Sequence, residues 1–345
     1  MQTRGYATTS ATTPLAPFAF DRRAPGDRDV QITIDFCGIC HSDIHSAKNE
    51  WGMTTYPFVP GHEIIGRVVK VGSAVSKVRE GQRVGVGCFV NSCGKCASCK
   101  AGHENYCETG MIMTYGSIDL DGTPTYGGYS RDIVVNEHFV LAIPDGLDPA
   151  GAAPLLCAGI TTYSPLRQAG VTKGSRVAVM GLGGLGHMGV KLAASFGADV
   201  TVFSRSAEKE ADARRLGAKA FVLTTTPGVL DSLAGRYDAI LDTISAKHEL
   251  TPVLNCLKAH GTLIMVGASP EPLEFSTLPL IFGNRRIVGS LVGGIAETQA
   301  MLDHCGTHGL TSDVETITPD QINVAFDRTL RGDVKYRFVI DCTKF

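Results

Sequence analysis

The pattern of apolar and polar positions changes character twice along the chain. In the first third it alternates with period two: in "DVQITIDF", Val30, Ile32, Ile34 and Phe36 share one face, as in a half-buried strand. "EIIGRVVKV" and "GQRVGVG" continue the pattern, set off by Gly and Pro, so this third predicts a small β-rich domain. After "AIPDGLDPAGAAPLL" the strands become nearly continuous apolar runs, "RVAVMG", "DVTVFS", "YDAILDT", "GTLIMVG" and "RIVGSLVG", with helical stretches between them. Such an alternation predicts an α/β domain with a doubly wound parallel sheet covered on both faces. The tail differs again. "TPDQINVAFDRTLRGD" opens on a Thr–Pro helix start and leads into the strand "KYRFVID", which is expected to return to the first domain. The expected division is 1–156, 157–294 and 295–345, with a cysteine lobe at about 88–110 inside the first part.

Between the first apolar strand of the second part and its helix lies "GLGGLGHMGVKLAASFGA", which places G-x-G-x-x-G on Gly181, Gly183 and Gly186. A lone glycine pattern is weak, but in a strand–turn–helix setting followed by a second strand it points to a dinucleotide. Glycines allow close backbone approach, and the helix N-terminal N–H groups face the pyrophosphate. Gly184 and Leu185 complete this candidate set. The second strand discriminates between cofactors. NAD asks for an Asp or Glu about twenty residues on, to hold the ribose 2′-hydroxyl. Here the strand ends "VFSRSAEKE", with Ser204, Arg205, Ser206 and Lys209 and no acid at its end. Two hydroxyls and two cations suit a 2′-phosphate, so NADP(H) is expected, although Ser206 could also be an ordinary N-cap.

Composition narrows the function classes. The chain has 345 residues, enough for two domains, and 43% of them are apolar. No apolar run approaches the roughly eighteen residues that span a bilayer. Lys and Arg number 32 against 34 Asp and Glu, a formal charge of −2 with no basic block to track nucleic-acid phosphates. The opening "MQTRGYATTSATTPLAPFAF" is polar and proline-broken rather than a signal sequence. With eleven cysteines, that suggests a reducing, cytoplasmic setting in which thiolates bind metal.

Four of those cysteines, Cys93, Cys96, Cys99 and Cys107, fall in "SCGKCASCKAGHENYC" with spacing C-x2-C-x2-C-x7-C. Four thiolates at such spacing suit one tetrahedral zinc ion. An iron–sulfur cluster is the rival, but such runs usually end Cys-Pro, and Glu108 follows Cys107 here. A disulfide staple is the remaining alternative. A four-sulfur site would be closed to substrate, so the chemistry must lie elsewhere. Cys40 in "CGICHSDIH", His62 in "PGHEIIG" and Cys157 in "PLLCAGITTY" could supply two thiolates and one imidazole, leaving a fourth position open. Spacing alone does not establish this trio, since single cysteines are more often small buried apolar residues.

"GICHSDIH", "PGHE", the four-cysteine lobe, "GLGGLGH" and the closing "RGDVKYRFVID" occur in order over nearly the whole length. The chain thereby resembles the zinc-dependent medium-chain alcohol dehydrogenases, most closely their cinnamyl alcohol dehydrogenase branch with its bacterial broad-range aldehyde reductases. The resemblance implies a GroES-like catalytic domain, a Rossmann domain, one catalytic and one structural zinc per subunit, and usually a homodimer. It also implies that Cys40, His62 and Cys157 hold the catalytic zinc, that Glu63 is the carboxylate beside it and that Asp43 orients the ligating histidine. Ser42 and His45 match the family's proton relay. Thr161 resembles its nicotinamide contact, Arg337 resembles the arginine that reaches the pyrophosphate, and His41 joins the cofactor set.

Trp51 and Met53 match substrate-pocket positions, with Cys88, Leu291 and Val292 as further lining, although each could be plain packing. Where plant members carry a second tryptophan, this chain has "GMIMTYG", placing Met113 or Ile112 there. An adaptable apolar pocket for varied aromatic and aliphatic aldehydes follows. The expected activity is zinc- and NADPH-dependent reduction of aldehydes to primary alcohols. The alternatives are a NAD-dependent polyol or secondary-alcohol dehydrogenase, and a non-catalytic NADPH- or zinc-binding protein on the same fold.

Overall fold

The strand Asp29–Gly38 organises the first of two units, which comprises Met1–Cys157 and Gly293–Phe345. The computed structural model describes all residues, Met1–Phe345. Asp29–Gly38 pairs antiparallel with Ile64–Val71 along one side. Its other side is shared, with Asp132–Asn136 alongside Asp29–Thr33 and Arg337–Asp341 alongside Phe36–Gly38. Arg83–Val86, Leu141–Ala142 and Val314–Ile317 complete a seven-stranded sheet. Val30, Ile32 and Ile34 are fully buried, as their alternation requires. The alternation then breaks. Ile34 faces Gly66 but Phe36 faces Ile65, a bulge that leaves Phe36 half-buried and turns Cys37 into the core.

The second unit is Ala158–Val292. Its six strands are all parallel, in the order Ala220–Leu223, Asp199–Ser204, Arg176–Met180, Tyr237–Asp242, Leu257–Met265 and Arg286–Gly289. Ala178, Ile240, Leu254 and Leu263 are among its fully buried core residues. The chain leaves Arg176–Met180 toward one neighbour, Asp199–Ser204, and later returns on its other side as Tyr237–Asp242. Strand order therefore reverses at Arg176–Met180, the position at which open sheets of this kind form a ligand crevice beyond the carboxyl ends of their strands. The cysteine lobe of the first unit is built from the short helix Ala97–Lys100 and the turn Glu104–Tyr106. Glu104, nearly buried, anchors it by accepting from the Ile295 N–H at the start of the helix Ile295–His308. No helix is long and apolar enough to cross a membrane.

Candidate active site

Cys40 caps the helix His41–Ala47, and Asp43 reaches back to accept from the Cys40 backbone N–H at 2.8 Å, the carboxylate half of a capping box. That local device brings Asp43 to the centre of the site. Asp43 is fully buried and also accepts from Gly61 N at 3.0 Å, His62 Nδ1 at 3.0 Å and the Tyr129 hydroxyl at 3.2 Å. With Nδ1 donating to a carboxylate, the His62 lone pair lies on Nε2.

His62 and Glu63 immediately precede Ile64–Val71, and Cys157 follows the 3-10 turn Ala153–Leu156. Donor atoms of Cys40, His62, Glu63 and Cys157 all lie within 4.8 Å of one another. The Cys40 and Cys157 sulfurs are 4.0 Å apart. Two sulfurs each about 2.3 Å from a tetrahedral zinc sit roughly 3.8 Å apart, so the spacing fits that ion. Glu63 adds a second sign: its Oε2 is buried without a hydrogen-bond partner, while Oε1 is held by Arg337. A Cβ at Gly38 would lie 1.9 Å from Glu63 Oε2, so any side chain there would displace the Glu63 carboxylate.

The electrostatics agree. Hydrogen bonding from Cys157 outweighs burial and draws the Cys40 thiol well below its ordinary pKa, whereas Cys40 and Cys88 beside it push Cys157 well above. A dication between the two sulfurs would stabilise both as thiolates. Burial raises Glu63 to about 7 against the pull of Arg337. Burial alone would lower Arg337, but Glu63, Cys40 and Cys157 together raise it. Burial also disfavours charge on His62, yet Tyr115, Asp43 and Cys88 around it reverse the shift.

Ser42 Oγ is 3.6 Å from Cys40 Sγ and half-buried. His45, one turn on, pairs through Nδ1 with Glu50 and packs its ring against Trp51 at 5.3 Å. Trp51 and Met53 are exposed, Met113 is half-buried, and Cys88 is buried beside Cys157 with its thiol on the Leu156 carbonyl at 3.7 Å. His41 lies exposed at the helix start. Arg337 is 5% exposed, and besides Glu63 its guanidinium donates to the Ile39 carbonyl. Its observed partners are therefore Glu63 and Ile39.

In the second unit Gly181 has φ +85, and a Cβ on Gly186 would lie 2.0 Å from the Gly181 carbonyl, so the turn tolerates no side chain at either position. Gly183 caps the helix Gly184–Ser195, which places Leu185 in its first turn, and a Cβ at Gly183 would meet nothing within 4 Å. That is open room for a ligand beside helix N–H groups. The adjacent strand ends at buried Ser204, whose Oγ accepts from Ser206 N at 3.2 Å. Arg205 is exposed, and Lys209 Nζ donates to the Leu182 carbonyl of the glycine turn at 3.1 Å. Thr161 is buried in the helix Ala158–Gln168, while Leu291 and Val292 end this unit.

In the cysteine lobe, the Cys93 and Cys99 sulfurs are 3.9 Å apart, again tetrahedral spacing. Backbone N–H groups of Lys95 and Cys96 pull Cys93 down to about 6, while burial pushes Cys99 up to about 11. All eleven cysteines are free of disulfides.

Glu50 and Tyr129 escape a reading of the sequence. Glu50 lies beyond the helix that carries His45, and Tyr129 comes from a distant loop. No spacing rule connects either to its partner.

Residues 26–145 match the alcohol dehydrogenase GroES-like domain family, and residues 184–307 match the zinc-binding dehydrogenase family. The NADP-dependent alcohol dehydrogenase C 1 of Mycolicibacterium smegmatis is 56% identical over 97% of each chain. Cinnamyl alcohol dehydrogenase 8 of Arabidopsis thaliana is 52% identical over 98% of this chain and 94% of its own. Among solved structures, a cinnamyl alcohol dehydrogenase from Sorghum bicolor superposes with a TM-score of 0.96 at 46% identity, covering 99% and 98% of the two chains. One from Helicobacter pylori, complexed with NADP(H), gives 0.93 at 43% identity over 100% and 99%.

Proposed function

This chain belongs to the zinc-binding alcohol dehydrogenase family, and from that premise we propose that it is an NADPH-dependent aldehyde reductase, reversible as an alcohol dehydrogenase, acting on broad apolar substrates. The observation that carries the reading is the Cys40–His62–Cys157 cluster, with its histidine tethered by Asp43 and the partnerless Oε2 of Glu63 beside it. Cys40, His62 and Cys157 would hold a zinc ion, which would supply Lewis acidity toward a substrate carbonyl, and bound NADPH would supply the hydride. The chain's own residues do the rest. Asp43 locks the His62 tautomer so that Nε2 faces the cluster. Ser42, in sulfur hydrogen-bond reach of Cys40, gives its proton to the nascent alkoxide. His45, held at Nδ1 by Glu50, takes up a proton from solvent and returns it to Ser42, restoring the hydroxyl. Glu63 is the reserve carboxylate at the cluster, and Arg337 balances its charge.

NADP(H) rather than NAD(H) is favoured by the acid-free strand end at Ser204 with Arg205 and Lys209 close by. A second zinc in the lobe, two per chain in all, is supported by its four-sulfur geometry. Trp51 and Met53 support apolar substrates, and Met113 in place of an aromatic wall supports breadth. A homodimer belongs to this proposal. Arg286–Gly289 leaves one edge of its sheet open, and Ile281, Phe282 and Val288 nearby are exposed apolar side chains. A cytoplasmic setting suits eleven disulfide-free cysteines. A panel of aromatic and aliphatic aldehydes, assayed with NADPH and NADH by nicotinamide absorbance, tests the reading. No turnover of any aldehyde with NADPH by the zinc-loaded protein defeats it.

A further inference from the structure

One buried acid–histidine pair lies outside the zinc cluster. Asp242 ends the strand Tyr237–Asp242, directly across from Met180 in the neighbouring strand, so it sits at the strand-order reversal one residue before the glycine turn begins. Its side chain is fully buried. Oδ1 accepts from Ile244 N at 3.0 Å, and Oδ2 meets His248 Nε2 at 2.7 Å. The other imidazole nitrogen, Nδ1, meets the Ala246 carbonyl at 2.8 Å. The segment so closed, residues 242–248, presses on the glycine turn. Thr243 donates to the Met180 carbonyl from its backbone at 3.1 Å and its hydroxyl at 2.7 Å. Cβ atoms at Gly181 and Gly186 would meet the Thr243 hydroxyl at 3.0 and 3.3 Å, and one at Gly267 would lie 2.3 Å from the Ile244 carbonyl.

The partners fix the proton count. A carbonyl oxygen only accepts, so Nδ1 must carry hydrogen. Nε2 faces a carboxylate oxygen at hydrogen-bond distance, so a second proton lies between them. Whether it rides on the ring or on the acid, the pair as a whole is electrically neutral. Burial, which pushes Asp242 upward, favours keeping that proton.

We propose that Asp242 and His248 form a neutral, proton-sharing clamp that holds residues 243–246 against the glycine turn, making His248 a positioning residue for NADP(H). The inference rests on the dinucleotide reading of the glycine turn. An ionised acid at this crevice would repel the cofactor phosphates, and an untethered segment would have to be ordered on each binding event. The clamp removes both penalties.

Two variants test it, with the dissociation constant of NADPH measured by its fluorescence on the purified zinc-loaded protein and kcat measured separately. His248→Phe keeps a ring but bares the Asp242 carboxylate. NADPH should bind about tenfold more weakly, the size of one hydrogen bond to a charged group. At saturating NADPH, kcat should stay within about twofold, since a positioning role acts on binding. Asp242→Asn is a neutral replacement that satisfies every partner: its carbonyl accepts from Ile244 N, its amide donates to Nε2, and Nδ1 still donates to Ala246. Its affinity should stay within about threefold of wild type. Unchanged NADPH affinity in His248→Phe, or a tenfold loss in Asp242→Asn, overturns the clamp. If His248→Phe fails to fold, a tenfold loss of NADPH affinity in Asp242→Asn still refutes the clamp. Wild type failing to bind NADPH at all would refute the cofactor reading instead, which keeps the two failures apart.

Discussion

Asp43→Asn changes one buried oxygen to an amide nitrogen and nothing in volume, so its effect isolates what the carboxylate does. Four donors converge on Asp43: Gly61 N and His62 Nδ1 on Oδ1, Cys40 N and the Tyr129 hydroxyl on Oδ2. Asparagine has one acceptor oxygen. Turned toward Gly61 and His62, it preserves the histidine tautomer, and the Tyr129 hydroxyl can rotate to accept from the new amide. Cys40 N–H cannot rotate. It then faces an N–H donor across what was a 2.8 Å hydrogen bond, inside the site and on a residue of the metal cluster. Losing one hydrogen bond to a charged acceptor costs about 1.5–3 kcal/mol. The outer partner of a metal-bound histidine is typically worth about 10–100-fold in metal affinity, roughly 1.4–2.8 kcal/mol. The two routes agree. At a chelator concentration where wild type keeps all its zinc, Asp43→Asn should lose the metal of the Cys40 cluster, and with it activity, while the four-cysteine lobe stays loaded. Elemental analysis with a kinetic assay reads both. Zinc retention and kcat/KM within twofold of wild type would mean that the Asp43 network does not support the metal.

Other substitutions probe the remaining parts. Cys40→Ser should remove one zinc and abolish turnover with the fold retained by circular dichroism, whereas Cys99→Ser should remove the other and lower thermal stability. Finding a single zinc lost by both variants would defeat the two-site assignment. Ser42→Ala should lower kcat at least about tenfold with NADPH affinity nearly unchanged, in keeping with the 10²–10⁴-fold typical of general acid–base groups; full activity would refute the proton transfer. Ser204→Asp should lower kcat/KM for NADPH at least about tenfold and raise NADH use, while Arg205→Ala should lower only the NADPH side. A wild type preferring NADH would overturn that argument. Val288→Glu, on the open sheet edge, should shift the protein toward monomer in sedimentation, and an unchanged dimer would move the interface elsewhere.

Much of this protein is legible in its sequence because the determinants are local. Period-two alternation gives Asp29–Gly38 its buried face as far as Ile34. The glycine spacing follows from steric limits inside a single turn, where Gly186 must pass within touch of the Gly181 carbonyl. The four lobe cysteines lie within one short stretch, so their grouping needs no knowledge of the fold. Even the capping link between Cys40 and Asp43 is three residues long. What the sequence leaves undetermined depends on pairing across long separations. The bulge that turns Cys37 inward arises from register against Ile64–Val71. The Cys40–Cys157 approach depends on how strands and turns pack, and so does Arg337 settling on Glu63, 274 residues away in the chain. Glu50 finds His45 only because the helix His41–Ala47 ends where it does. Asp242 and His248 are near in sequence, but their meaning comes from strand order, which sets Asp242 beside Met180 at the mouth of the crevice. Backbone periodicity and steric exclusion act over a few residues and leave their mark in the sequence. Burial, shared protons and charge balance are properties of assembled neighbours, and only the tertiary structure decides who those neighbours are.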